Sequence, residues 1–160
     1  MFSKNALTSI EFQSSEEIKE YQNQKLQEQL KYLVTYSKFY QDLFEKHQID
    51  LKSIQSIEDL VKIPVTSKND LQQFNSDFLC VLPTEIIDYS TTSGTLGDPV
   101  TFGLTDKDLD RLATNEMNSF QRIGVQKGDV VQLMTTIDRR FMAGLAYFLG
   151  LRKIGAGVIR

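Results

Sequence analysis

The first eighty or so residues contain no glycine, and along them apolar side chains recur at helical intervals, so this stretch is confined to helices and short turns. Ser14 and Glu17 stand at capping-box spacing. Ile18, Tyr21, Leu26, Leu30, Leu33 and Val34 follow in a Gln- and Lys-rich background, which predicts a long amphipathic helix. A second, aromatic-rich helical segment, Phe39, Tyr40, Leu43 and Phe44, comes after Ser37 and dissolves near Asp50. Ser56 with Asp59, and Ser67 with Asp70, predict two more short capped helices separated by Pro64. No cluster of groups suited to catalysis occurs here, so the expected role is structural.

The pattern changes after Pro83. Glu85 to Ser90 predicts a short strand, and Val100 to Leu104 its partner, with a glycine-rich turn held between them. Thr105 with Asp108 opens a helix whose apolar face is Leu109, Leu112, Ala113, Met117 and Phe120, ending near Gly124. Asp129 to Thr136 predicts a buried strand, Arg139 to Lys153 a helix, and Ala156 to Ile159 another strand, a β-α-β unit. The fold class expected is α/β: a helical region over residues 1–84, then over 85–160 the first part of a mostly parallel sheet flanked by helices. Such a sheet needs cover on both faces, so the C-terminus is expected to fall inside an unfinished domain.

Charge and special residues narrow the partners. A net charge of -3, a pI near 5.2 and the absence of any Lys/Arg block argue against nucleic acid and against an anionic membrane surface. Cys80 is the only cysteine and His47 the only histidine, which leaves neither an intrachain disulfide nor a zinc constellation. The start of the chain lacks the apolar run of a signal peptide. The longest apolar-rich stretch, Phe141 to Leu151, is too short to span a bilayer and is closed by Arg152 and Lys153. A cytoplasmic location is the expectation.

The chemistry concentrates in Thr91-Thr92-Ser93-Gly94-Thr95-Leu96-Gly97-Asp98-Pro99, four hydroxyl side chains and two glycines in nine residues. Hydroxyls donate to phosphate oxygens, and glycines let successive backbone N–H groups converge on one anion. The segment is not the common nucleotide loop, because Gly94 and Gly97 are three apart and no Lys-Ser or Lys-Thr follows. Composition alone leaves two readings, a polyphosphate cradle or a hydroxyl-rich hairpin turn with no ligand.

Thr92, Ser93, Gly94, Thr95, Gly97 and Pro99 match the Ser/Thr-Ser-Gly-Thr-Thr-Gly-x-Pro signature, and the loop thereby resembles that of adenylate-forming enzymes, the acyl-CoA synthetase superfamily. Phe39-Tyr40, the run Ile63 to Lys68, Leu104-Thr105 with Asp108, and Gly124-Val125 with Gly128-Asp129 surround it in an order similar to phenylacetate-CoA ligase-like proteins, and they cover nearly the whole chain. Two positions depart from the pattern: Leu96 replaces a hydroxyl, and Asp98 adds a negative charge beside the phosphates.

The resemblance implies a two-step reaction. A carboxylate attacks the α-phosphate of Mg-ATP to give an acyl-adenylate and pyrophosphate, and coenzyme A then displaces AMP to form a thioester. ATP, Mg2+ and coenzyme A are the implied cofactors and substrates, with a small-molecule carboxylic acid, aryl or related, as the fourth component. Thr92, Ser93 and Thr95 would offer hydroxyls to the phosphates while Gly94 and Gly97 permit close backbone approach. Pro99 would fix the exit of the turn.

The resemblance also implies an acid pocket built partly from the segment Ile137 to Gly144, with Phe141 as its candidate residue; a core aromatic on the following helix is the other reading of Phe141. Arg139 and Arg140, at a helix start, oppose the helix dipole and are expected to face solvent or an anion. His47 and Lys68 read as surface residues and Cys80 as buried, and none is assigned to catalysis. The elements that bind adenine, position magnesium and carry the catalytic lysine are expected beyond Arg160, so this chain alone is expected to be inactive. Two further readings stay open: nucleotidyl transfer to another acceptor, as in the related coenzyme F390 synthetases, and a non-catalytic helical module whose face from Ile18 to Phe44 docks on a partner or in a homodimer.

Overall fold

Ser14 and Glu17 form the reciprocal cap that their spacing predicts: the Glu17 N–H donates to Ser14 Oγ at 3.2 Å and the Ser14 N–H donates to Glu17 Oε2 at 3.0 Å. The helix they open, α1, runs Ser15–Tyr36 in the computed structural model, which describes residues 10–92, 99–138 and 140–160. Ser37 ends α1 and caps α2 (Lys38–Lys46). Its side chain is wholly buried, and the hydroxyl donates to the Asp77 carbonyl at 2.9 Å while accepting the Tyr40 N–H at 3.4 Å. The corner between the helices is thus tied to the end of the same unit.

The chain divides into two compact units, Met1–Cys80 and Val81–Arg160. In the first, Leu30, Phe44 and Ile54 form the buried core, with Leu26, Val34, Tyr40 and Ile63 packed around them. Phe39 stacks on Phe78 with ring centroids 3.9 Å apart. After Ser56 the chain forms a 3-10 helix, Ile57–Lys62. Pro64 holds Ile63 in the extended region at φ -93 and ψ 127, so the segment stops before α-helical turns can accumulate. Beyond it Ser67 caps α3 (Lys68–Gln73) through Asp70, as predicted.

The second unit begins differently from the sequence expectation. Pro83–Glu85 is a 3-10 turn, because the Glu85 carboxylate turns back to accept the Leu82 N–H at 2.9 Å. The predicted strand therefore starts later, as β1 (Asp88–Thr91), antiparallel to β2 (Thr101–Leu104) with Asp88 opposite Leu104 and Thr91 opposite Thr101. Thr105 and Asp108 cap α4 (Asp106–Arg122). It closes at Gly124, whose φ of 95 lets the Val125 N–H reach back to the Phe120 carbonyl at 3.0 Å.

Next come β3 (Val130–Gln132), α5 (Met142–Ile154) and β4 (Gly157–Ile159). β3 and β4 pair in parallel, Val130 with Gly157 and Gln132 with Ile159, which gives the expected β-α-β unit. β3 is much shorter than the predicted Asp129 to Thr136 strand and is not buried: its last ladder bond is Leu133 N–H to the Ile159 carbonyl, and Met134 is 90% exposed. The helix also starts three residues late, at Met142, because Arg140 has φ 61 and cannot belong to a right-handed helix. α5 packs closely on α4 through Gly150, where a Cβ would lie 2.5 Å from Glu116 Cβ. Lys153 adds a 2.5 Å contact to Asp110 and a 2.8 Å bond to the Thr114 hydroxyl.

The architecture is the α/β arrangement expected: a helical region, then an antiparallel hairpin and a parallel pair flanked by helices. Among the described residues no helix is long and apolar enough to cross a membrane.

Candidate functional site

The β1–β2 hairpin holds the two ends of the hydroxyl- and glycine-rich loop together. Thr92 makes the neck: its N–H donates to the Val100 carbonyl at 3.0 Å, and its Oγ1 accepts the Val100 N–H at 3.0 Å. Val100 is buried and Thr92 is exposed. With Oγ1 accepting from Val100, the Thr92 hydroxyl can still act as a donor through its own hydrogen. Ser93, Gly94, Thr95 and Gly97, together with Leu96 and Asp98, lie outside the described residues.

On its other edge β1 meets the segment before α5. The Thr91 N–H donates to the Arg140 carbonyl at 2.9 Å. Arg140 is exposed and stands in the left-handed region; Arg139 lies outside the described residues. Phe141 occupies the N-cap position of α5 and is 42% exposed, so it is no core aromatic of that helix. The buried face of α5 consists instead of Gly144, Ala146, Gly150 and Leu151.

A crevice of about 600 Å³ opens at the carboxyl ends of β3 and β4, lined by Thr135, Thr136, Ile137, Asp138, Val158 and Arg160. Ligands of open α/β sheets bind at this end of the strands. Phe141 is not among the residues that line the crevice and stands three positions beyond Asp138, which does. The first turn of α5 can approach that segment only because residue 144 is glycine: a Cβ there would lie 1.9 Å from the Thr136 carbonyl oxygen. Sequence reasoning missed both the Thr91–Arg140 bond and this contact. A glycine inside an apolar helical pattern was the available signal for the second.

Two of the remaining candidates fall where they were expected, and Cys80 is less buried than expected. His47 and Lys68 are exposed, and Cys80 is half-buried, its thiol pKa pushed up by that burial. Among the described residues no group of three or more His, Cys, Asp or Glu side chains is placed to hold a metal ion.

No protein-family model matches the chain. Over 154 residues it is 29% identical to a phenylacetate-coenzyme A ligase of Aromatoleum evansii, covering 96% of this chain and 35% of that protein. It is 28% identical over 160 residues to the phenylacetate-coenzyme A ligase of Escherichia coli (strain K12), covering 99% and 36%. Its fold superposes on 2-hydroxyisobutyryl-CoA ligase in an open conformation in complex with 2-HIB-AMP and CoA, with a TM-score of 0.82 at 23% identity over 91% of this chain and 35% of that one. The same ligase in the thioesterification state gives a TM-score of 0.83 at 24% identity, over 92% and 32%. The chain thus spans about a third of the length of the curated relatives it matches. In sequence the chain is similar to phenylacetate-coenzyme A ligases over nearly all its length, and it shares the fold of the matching third of an acyl-CoA ligase.

Proposed function

We propose that the chain is the N-terminal part of an ATP-dependent carboxylate-CoA ligase, and that the loop from Thr92 to Gly97 grips the phosphates of ATP while the segment around Phe141 receives the acid. The observation that carries this reading is the neck: Thr92 pins both ends of a loop bearing Ser93, Gly94, Thr95 and Gly97, beside the strand edge that meets Arg140. The relatives' names supply the reaction class.

In the proposed reaction a carboxylate oxygen bonds to the α-phosphorus of ATP, the bond to the bridging oxygen breaks, and pyrophosphate leaves with the electron pair. Coenzyme A sulfur then bonds to the acyl carbon and AMP leaves. The loop's contribution is electrostatic, with donors fixed in advance around the charge that grows on the leaving pyrophosphate. Backbone N–H groups of a glycine-rich turn serve this without a lysine. Asp98 adds a negative charge to the loop, and Mg2+ carried on the phosphates would offset its repulsion. The remaining functions of the whole ligase belong to the part of its relatives' length that this chain does not span. A cytoplasmic setting, where ATP and coenzyme A are at hand, suits the reading.

The test is pyrophosphate release by the whole ligase, supplied with Mg-ATP and a panel of aryl and short-chain acids. Acid-dependent release, with a CoA thioester appearing on addition of coenzyme A, supports the proposal. Release followed by nucleotide transfer to another acceptor redirects the second step, and no release with any acid refutes the reading.

A further inference from the structure

Arg140 adopts φ 61, a conformation that L-residues other than Asn and Asp rarely take, yet its side chain is exposed. What this backbone achieves is visible in its carbonyl, which accepts the Thr91 N–H at 2.9 Å. In an antiparallel ladder successive N–H groups point alternately toward the partner strand and away from it. Since the Thr92 N–H is spent on Val100, that of Thr91 points away from β2 and needs an acceptor on the free edge. Arg140 supplies it.

The short segment on which Arg140 sits is held at two further points. Thr136 lies against Gly144, and the Phe141 N–H donates to the Asp138 carbonyl at 3.3 Å. The left-handed turn at Arg140 accompanies a carbonyl aimed at β1 and is followed directly by the N-cap at Phe141.

We propose that Arg140 is a positioning residue that acts through its backbone and not through its guanidinium: it ties Phe141 and the adjoining crevice wall to the last residue of β1. This rests on the reading of Phe141 as part of the acid site. Two consequences follow. Residues that adopt the left-handed region readily preserve the site whatever their charge, and loss of the Thr91 donor has the same effect as loss of the Arg140 conformation.

The test uses the whole ligase, with phenylacetate as probe followed by calorimetric titration, and amide hydrogen exchange at Thr91. Arg140→Gly and Arg140→Asn are expected to bind phenylacetate within about twofold of wild type and to keep the Thr91 amide protected. Arg140→Val, whose branched side chain resists the left-handed region, is expected to lose that protection and to weaken phenylacetate on the order of tenfold. Thr91→Pro removes the donor on an edge where proline is tolerated, and is expected to match Arg140→Val in affinity. Protection of the Leu151 amide in α5 confirms that each variant is folded. If Arg140→Gly weakens binding as much as Arg140→Val, the guanidinium does the work and the proposal is overturned. Wild-type-like binding by Arg140→Val and Thr91→Pro overturns it too. Wild-type ligase that binds no phenylacetate overturns the acid-site reading itself, and the positioning role with it.

Discussion

The Thr136 carbonyl lies against Gly144 so closely that a methyl group on Gly144 would come within 1.9 Å of the carbonyl oxygen. No flexible side chain is available to yield, since the obstacle is the backbone of Thr136 and Ile137. Gly144→Ala is therefore expected to destabilise the chain by about 1–3 kcal/mol, or to push the Thr136–Asp138 segment outward. Gly157→Ala is the control. Its Cβ would meet Val130 Cγ2 at an ordinary 3.4 Å, so its urea midpoint should stay close to that of wild type.

Ser37 joins α1 to α2 with a side chain that is wholly buried and bonded on both sides. Ser37→Ala removes the donor to Asp77 and the cap on the Tyr40 N–H together, at an expected cost of about 1–3 kcal/mol in urea unfolding. Ser37→Thr keeps the hydroxyl but adds a methyl in a filled space, so it should fall between the two.

The capping carboxylates predict the acid limb of stability. Burial works to raise the Asp108 pKa, but hydrogen bonds from the Thr105 N–H and hydroxyl, with the Arg111 charge, outweigh it and leave the value lowered. Asp70 is lowered by the Ser67 hydroxyl and N–H, Asp59 by Lys62 and the Gln55 and Ser56 N–H groups, and Glu17 by Ser14. Each folded-state value lies below the unfolded one, so the stabilisation is complete above the ordinary carboxylate range and is lost as pH falls through it. Urea midpoints should be flat from about pH 7 to pH 5 and fall below about pH 4. Asp108→Asn should lower the neutral plateau and shallow the acid slope.

The same caps show what the sequence makes legible. Ser14 with Glu17, Ser67 with Asp70 and Thr105 with Asp108 each close within one turn, so spacing alone locates the starts of α1, α3 and α4. The start of β1 is set by a local cap that spacing rules pass over, because Glu85 turns back on Leu82, a residue with no hydroxyl. The start of α5 depends on a partner far along the chain, Arg140 reaching Thr91, and on Thr136 meeting Gly144. No local periodicity encodes those contacts. For the site, hydroxyl and glycine density marks the loop, and the neck role of Thr92 follows only from the register that brings Val100 opposite. Periodicity reads Phe141 as a core aromatic, which its place at an exposed N-cap removes, whereas the pocket reading comes from the resemblance alone.

Thr92 gives a separate test of the neck. Thr92→Val keeps the branched shape and removes Oγ1, leaving the Val100 N–H without its acceptor. The expected cost is about 1–3 kcal/mol, with faster hydrogen exchange at Val100. Thr92→Ser should retain both the stability and the protection.

The central claim is that the loop from Thr92 to Gly97 holds the phosphates of ATP. Its most direct test is calorimetric titration of the whole ligase with Mg-ATP, beside a Gly94→Val variant shown by its melting curve to be folded. The account predicts saturable binding to the wild-type ligase that disappears in Gly94→Val, with inorganic pyrophosphate competing for the same site. Wild-type ligase that takes up no Mg-ATP, or a Gly94→Val variant that binds it with unchanged affinity, would contradict the claim.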